Sequence, residues 1–269
     1  MGHDKLRKFA ENETFSCLLQ PAAGDLLADG FFSLKDHPVK GNWNGKMFTV
    51  PREIVLELGC GKGEYTIDLS KRIPSRNYVG VDIKGARLWK GAGQAESEKL
   101  GNVAFLRTRI EFITALFAPG EVSEIWLTFS DPQMKSENSR LTSPLFLERY
   151  RNILKKGGII HLKTDSMFLH QYSKAVAEAN GLKILACTED LYSTSRSQFD
   201  ALPEQEADAL FEVQTFYEKM FLEQGYRITY LSFVIDKEGE YVHPDFDEEY
   251  WRKAEGPKRS FSHQPSKKQ

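Results

Sequence analysis

From Glu53 onward, apolar and polar positions form blocks that predict strands separated by helices. Short apolar runs are typical of buried strands, and apolar positions at three- and four-residue spacing are typical of amphipathic helices. The predicted strands are 54–58, 78–83, 103–106, 124–129, 159–163, 183–186 and 227–234. The predicted helices are 65–72, 86–99, 110–117, 144–154, 167–180 and 212–224, the last preceded by a polar surface excursion at 189–210. This alternation predicts an α/β fold with a doubly wound, mostly parallel sheet of seven strands.

The two ends of the chain lack this alternating pattern of apolar and polar blocks. Residues 1–50 mix charged, glycine, proline and aromatic positions, which predicts an irregular N-terminal extension with one helix-like stretch at 11–19. Residues 51–235 carry the alternating pattern and form the predicted main domain. Residues 236–269 are predicted to be a C-terminal extension that ends in a disordered basic tail, because the part after Gly256 is rich in proline, serine and lysine.

Composition and charge exclude several classes of protein. The chain has 269 residues, of which 41% are apolar, enough for one sizeable core. Its three cysteines are scattered, which argues against a disulfide framework and suits the cytoplasm, and its six histidines lack zinc-site spacing, so we expect no metal. No apolar run approaches the ~18 residues that span a membrane, so we expect no membrane association. The net charge of −2 gives nucleic-acid binding no support, so an RNA surface would need local basic patches.

A glycine-rich turn follows the first predicted strand. It reads Gly59-Cys60-Gly61-Lys62-Gly63 and is preceded by Glu57. Glycines there let the backbone turn tightly and approach a ligand closely. A dinucleotide fingerprint would need glycine at position 64, and a Walker A loop would need serine or threonine at position 63, so neither pattern fits. The remaining G-x-G-x-G spacing resembles motif I of Rossmann-like methyltransferases.

Two acids suit S-adenosylmethionine, the cofactor that this resemblance implies. Asp82 ends the second predicted strand about twenty residues after the glycines, where a carboxylate can accept both ribose hydroxyls. Glu57 suits the amino-acid end of the cofactor, since that end carries an ammonium and a sulfonium group. The alternative is a tight turn of any α/β protein, with Asp82 a solvated strand end.

An Asp-Pro pair follows the apolar strand 124–129. In open α/β sheets the chemistry lies at the carboxyl ends of the strands, so Asp131 is expected at the mouth of the cleft. Pro132 biases the backbone of Asp131 toward an extended conformation, which fixes the direction of the carboxylate. A plain Asp-Pro turn is the alternative interpretation.

Four motifs, taken in order, resemble the tRNA (guanine-N7-)-methyltransferase family of the bacterial, single-chain kind. They are Leu56–Glu64, Phe129-Ser130-Asp131-Pro132, His161-Leu162-Lys163-Thr164-Asp165 and Thr215-Phe216-Tyr217-Glu218. Many methyltransferases share the first motif, whereas the other three in this order are far more specific. The resemblance extends from about Lys5 to Phe233, nearly the whole chain.

The resemblance implies a role for each residue that matches. Asp131 would lie between cofactor and base as the catalytic residue. The implied cofactor-binding residues are Glu57, Gly59, Gly61, Gly63, Asp82 and Asp131. The implied substrate-binding residues are Lys135, Asp165, Thr215, Phe216, Tyr217 and Glu218. The implied partner is tRNA, and the sequence gives no oligomeric state and no role for residues 236–256.

The chain departs from the family pattern in three places. Gln133-Met134 stands where Trp-Pro is common, and the basic stretch that usually follows is thinned over 135–141. Arg109 stands after the third predicted strand, where the family usually has an acid near the adenine of the cofactor. Backbone groups of Arg109 and Ile110, or the side chain of Glu111, are expected to substitute for it.

The chemistry of guanine N7 agrees with these residues. N7 is a lone pair without a proton, so the enzyme mainly has to align it with the methyl group. The product ring gains positive charge, which Asp131 would stabilise as it forms. The other edge of guanine presents N–H donors, for which Asp165 and Glu218 are matching acceptors.

Phosphates of an RNA need cations, and the chain offers several groups of them. The candidates are Lys5, Arg7, Lys8, Lys84, Arg87, Lys90, Lys135 and Arg140, with a minor contribution from the basic tail. Arg149, Arg151, Lys155 and Lys156 are expected on a solvated helix face, His161 is expected to be packed, and His170 is expected on a helix surface. Two other functions stay open: methylation of a small molecule or protein, and a non-catalytic module that binds RNA or cofactor.

Overall fold

The computed structural model describes residues 2–28 and 33–256, apart from the side chains of residues 2 and 3. Its strands are β1 (Leu18–Leu19), β2 (Ile54–Leu58), β3 (Asn77–Asp82), β4 (Val103–Arg107), β5 (Val122–Thr128), β6 (Leu154–Thr164), β7 (Ile184–Thr188) and β8 (Thr229–Ile235). Its α-helices are α1 (Gly2–Asn12), α2 (Ala23–Leu26), α3 (Trp43–Lys46), α4 (Glu64–Arg72), α5 (Gly85–Ser97), α6 (Pro144–Arg151), α7 (Met167–Ala179), α8 (Glu204–Glu212), α9 (Phe216–Glu223) and α10 (Glu248–Glu255). A short 3₁₀ helix, Ile110–Ala115, follows β4.

All described strands join one sheet in the order β1-β4-β3-β2-β5-β6-β8-β7. Every pairing is parallel except those of β8, which runs antiparallel to both β6 and β7. The α/β, mostly parallel architecture predicted from the sequence is confirmed, but the predicted count of seven strands is one too low. The additional strand, Leu18–Leu19, pairs with β4 at the sheet edge and is too short to produce a recognisable pattern.

Both faces of the sheet are covered, which is why its strands are almost continuously apolar. Alternate residues of β2 show this directly: Leu56 and Leu58 belong to one core cluster, and Val55 belongs to a second cluster on the other face. The second face also carries a row of buried polar side chains under α8 and α9, which includes Glu57 and Lys163.

Two local predictions are wrong, and each has a physical reason. The helix-like stretch at 11–19 is a helix only up to Asn12, because β1 begins at Leu18, where the chain reaches the edge of the sheet. The polar stretch 189–210 was expected as a surface excursion, but it contains the start of α8. One polar residue of α8, Glu206, is buried because Arg76 pairs with it at 2.6 Å.

The C-terminal extension folds back onto the main domain. After β8 the chain leads to α10, which packs against α7. The basic tail after Gly256 lies outside the described residues. Among residues 2–28 and 33–256, none of the helices has the length and apolar character needed to cross a membrane.

Candidate active site

The glycine loop lies at the carboxyl end of β2, where the chain turns into α4. Gly59, Gly61 and Gly63 all have left-handed backbone conformations, with φ of 80°, 57° and 72°. Gly63 is the N-cap of α4, and a Cβ atom on it would lie 2.5 Å from Cε1 of Phe105. Only glycine can therefore occupy position 63 with this backbone.

Asp82 lies beside this loop at the end of β3. Its Oδ2 accepts a hydrogen bond of 3.0 Å from the backbone N–H of Gly61, and its Oδ1 accepts one of 2.7 Å from that of Lys84. These bonds fix the carboxylate at the wall of a cleft of about 690 Å³. Arg109, Ile110 and Glu111 line the same cleft, so the structure brings the predicted nucleoside-binding residues together; other lining residues are Thr108, Asn138, Leu141 and Phe146.

Glu57 lies deeper, and its carboxylate is buried. It accepts hydrogen bonds from the hydroxyls of Thr66 and Thr128, and from the backbone N–H of Thr66 at 2.8 Å. Burial raises the pKa of Glu57 to about 7, although the threonine hydrogen bonds oppose this shift. Ionisation of this carboxyl is therefore sensitive to any positive charge placed beside it.

A narrower pocket continues the large cleft toward Glu57. Gly59 and Arg87 line both of them, so the two pockets adjoin, and together they are called the groove. Thr215 and Tyr217 line the narrow part. The segment predicted to bind substrate therefore meets the glycine loop in space, although more than 150 residues separate them in the sequence.

One hydrogen bond holds this segment beside the glycine loop. Oε2 of Glu64, in the first turn of α4, accepts from the backbone N–H of Phe216 at 3.1 Å. The Phe216 and Tyr217 rings are both exposed and meet edge to face at a centroid distance of 5.7 Å. Exposed aromatic rings at the mouth of a groove are suited to stacking on a nucleobase.

Asp131 lies on an exposed loop after β5. Its Oδ1 accepts from the backbone N–H of Gln133 at 2.9 Å, which turns the chain sharply after Pro132. Phe129 and Gln133, on either side, have left-handed φ angles of 51° and 48°. Such conformations cost about 1 kcal/mol or more in residues other than glycine, and they concentrate at functional sites.

The remaining predicted substrate residues do not share one environment. Lys135 is exposed on the Asp131 loop, and Asp165 is half-buried directly after β6. Glu218 is fully buried, and its Oε1 lies 2.8 Å from the ammonium of Lys163 and accepts from the hydroxyl of Tyr192 at 2.6 Å. In this structure the carboxylate of Glu218 faces the interior instead of a base, which differs from the expected direct contact.

Two arginines lie in places that the sequence did not predict. Arg140, expected to contact phosphate, is fully buried and paired with Glu248 at 2.7 Å. Arg149, expected on a solvated helix face, lines the large cleft with Arg87 and Arg109. The cationic wall of the cleft therefore contains Arg149 and lacks Arg140.

Comparison with known proteins agrees with this geometry. Residues 51–222 match a family described as putative methyltransferases. A tRNA (guanine-N(7)-)-methyltransferase of Bacteroides fragilis is 44% identical over 92% of this chain and 92% of its own length. One of Christiangramia forsetii is 47% identical over 86% of this chain and 98% of its own length.

The chain belongs to the tRNA (guanine-N(7)-)-methyltransferase family. Its cofactor is S-adenosylmethionine, and the groove fits that molecule. A Cβ atom added to Gly59 or Gly61 would meet no other atom within 4 Å, so the space beside the backbone there is open to a ligand. Two carboxylates, Asp82 and Glu57, line the groove, and carboxylates are suitable acceptors for the hydroxyls and the ammonium that this cofactor carries.

A buried charge cluster in this methyltransferase lies away from the groove. Glu124, His161 and Glu206 offer ligand atoms within 4.8 Å of one another. Arg76 lies between the two carboxylates, at 2.5 Å from Glu124 and 2.6 Å from Glu206. His161 is packed as expected, stacked on Trp126 at a centroid distance of 4.1 Å. The cluster fastens α8 to the sheet.

Several features of the methyltransferase site are absent from the sequence prediction. Thr66 and Thr128 hold Glu57, but isolated threonines carry no motif. Lys163 pairs with Glu218, a role that its own motif did not indicate. His170 was expected on a helix surface and is fully buried. Only the alternation of β6, which places Lys163 and His161 on the same face, could have indicated a polar row beneath the helices.

Proposed function

We propose that this methyltransferase transfers the methyl group of S-adenosylmethionine to N7 of a guanine in the variable loop of tRNA. The observation that carries the proposal is the groove of two adjoining pockets, one lined by Asp82 and Gly59 and the other by Gly59, Glu57, Thr215 and Tyr217. A nucleoside cofactor needs the first part, and a nucleobase needs the second.

The cofactor supplies a methyl group on a positively charged sulfur. On this chain, Asp82 would accept the ribose hydroxyls, since its carboxylate is already fixed at the cleft wall by two backbone N–H groups. Glu57 would accept the ammonium group at the narrow end. Arg109, Ile110 and Glu111 would form the adenine pocket, where Nη2 of Arg109 lies 3.1 Å from Oε1 of Glu111.

Asp131 would act by electrostatics and positioning. Guanine N7 has no proton to remove, so a general base has nothing to accept during methyl transfer. The purine ring becomes positively charged, and a carboxylate held nearby stabilises that charge as it develops. Asp165 would accept from the N–H edge of guanine, while Phe216 and Tyr217 stack on an extruded base.

The phosphates would meet the cationic wall of the groove. Arg87, Arg109 and Arg149 line the large cleft, Lys84 is exposed beside them, and Lys135 is exposed on the Asp131 loop. Such a local patch explains how a chain with a net charge of −2 can bind RNA. We place the reaction in the cytoplasm, which suits three free cysteines, Cys17, Cys60 and Cys187.

Methyl transfer to an unmodified tRNA transcript tests the proposal. Labelled S-adenosylmethionine would be the donor, and the digested product would be analysed for 7-methylguanosine by mass spectrometry. We expect this nucleoside in the product, and we expect it to vanish when the variable-loop guanine is replaced. Absence of label from the tRNA, while calorimetry still shows that the enzyme binds S-adenosylmethionine, would refute the proposal.

A further inference from the structure

The chain after β8 returns to the loop that carries Asp131, and one carboxylate links the two. In α10, Oε1 of Glu248 lies 2.7 Å from Nη2 of Arg140, and Oε2 accepts from Nη2 of Arg252 at 2.9 Å. Nη2 of Arg252 also donates to the backbone carbonyl of Met134 at 2.8 Å. Met134 belongs to the Asp131 loop, so the C-terminal helix holds this loop directly.

Arg140 fixes the far end of the same loop. Its guanidinium is fully buried and lies over two rings, 4.3 Å from the centroid of Tyr172 and 4.8 Å from that of Phe168. Phe246, from the C-terminal segment, packs edge-on against both rings at 5.5 and 5.6 Å. The loop therefore ends on a side chain that the C-terminal segment helps to enclose.

Two further contacts extend this linkage. Oε2 of Glu255 accepts from the backbone N–H of Phe168 at 2.9 Å, in the first turn of α7, just after Asp165. Nδ1 of His243 lies 2.9 Å from Oε1 of Glu137, which belongs to the loop after Asp131. The C-terminal segment thus contacts the loop that carries Asp131 and the first turn of the helix that follows Asp165.

We propose that residues 236–256, which we name the C-terminal brace, hold the Asp131 loop in the geometry needed for methyl transfer, with Arg252 as a positioning residue. Phe129 and Gln133 have left-handed backbones, a conformation that persists only where surrounding contacts impose it. The bond from Arg252 to the Met134 carbonyl is such a contact. This role rests on the proposed function, since it concerns the loop of the proposed catalytic residue.

Amide hydrogen exchange of the free enzyme, combined with steady-state kinetics, tests the brace. In Arg252→Ala we expect exchange over residues 133–140 to accelerate about fivefold or more. We expect kcat to fall about tenfold, with cofactor Kd within about twofold of wild type. Arg252→Lys, which can still donate to the carbonyl, should recover most of kcat. The matched control is Lys253→Ala on the same helix, since Lys253 is exposed and its ammonium lies 2.6 Å from Oε1 of Glu249.

Unchanged exchange in Arg252→Ala, or an equal effect of Lys253→Ala, would overturn the proposal. Loss of cofactor binding together with faster exchange throughout the chain would also overturn it, because the residue would then serve global stability. The exchange measurement needs no RNA. If wild-type enzyme failed to methylate tRNA while Arg252→Ala loosened the loop, the brace would stand and the proposed function would fall.

Discussion

The ammonium of Lys163 lies 2.8 Å from Oε1 of Glu218, and both side chains are fully buried. Lys163 also donates to the backbone carbonyls of Leu210 and Val213, at 2.8 and 3.0 Å. The pair therefore joins β6 to the end of α8 and to the start of α9. Thr215 and Tyr217 lie between Val213 and Glu218, so this junction contributes to their position in the groove, together with the bond from Phe216 to Glu64.

Breaking the pair is expected to destabilise the fold. Glu218→Gln leaves Lys163 buried without its carboxylate partner, and burial already lowers the pKa of this lysine. We expect a loss of about 3–5 kcal/mol in the free energy of unfolding. The double variant Lys163→Met/Glu218→Leu should recover part of this loss, because it removes both charges. Urea unfolding measures the effect. A stable Glu218→Gln enzyme with a raised KM for tRNA would instead favour direct contact with the base.

Asp131→Asn tests the assigned electrostatic role. Asparagine keeps the size of the side chain and can still accept from the N–H of Gln133, but it lacks the charge. We expect kcat to fall about a hundredfold while cofactor Kd stays within about tenfold, because Glu57 and Asp82 hold the cofactor. Calorimetry and single-turnover methyl transfer measure the two quantities. An equal loss in both would show that Asp131 chiefly binds the cofactor.

The sequence predicts the parts of this molecule that rest on repeated local patterns. Alternating apolar blocks predict the sheet, and the spacing of Gly59, Gly61 and Gly63 predicts the turn. The rest depends on contacts between distant segments. The sequence around Arg252 does not predict its bond to Met134. The motif Thr215-Phe216-Tyr217-Glu218 does not indicate whether Glu218 faces a base or Lys163.

Glu57 predicts a pH dependence of cofactor binding. Its pKa is raised to about 7, so near pH 6 the carboxyl is mostly protonated and must lose its proton to face an ammonium group. Affinity for S-adenosylmethionine should therefore rise between about pH 6 and pH 7.5, with release of a proton. Titration calorimetry in two buffers of different ionisation enthalpy detects both. A Kd independent of pH in this window would contradict the assignment.

Glu57→Gln should separate binding from stability. A carboxyl whose pKa is higher in the folded than in the unfolded state stabilises the fold at pH values below its unfolded-state pKa. This stabilisation is lost as the pH rises through the folded-state pKa, which is about 7 for Glu57. At about pH 8 the glutamine variant, which has no buried charge, should be more stable without cofactor by on the order of 1–3 kcal/mol. Its cofactor affinity should be lower and independent of pH. Thermal unfolding at two pH values measures the first effect, and a less stable variant would contradict it.

The cationic wall of the groove predicts how RNA binding depends on salt. Arg149→Ala removes one cation that lines the cleft, and each lost phosphate contact lowers the slope of log K against log salt by about one. We expect weaker tRNA binding for Arg149→Ala and for Arg87→Ala, with cofactor Kd little changed for Arg149→Ala. Lys155→Ala is the control, since Lys155 is exposed, pairs with Glu53, and lies at the amino end of β6, whereas the glycine loop follows the carboxyl end of β2. Filter binding of a tRNA transcript at several salt concentrations measures the slopes. Equal slopes for Arg149→Ala and Lys155→Ala would show that the RNA does not contact this wall.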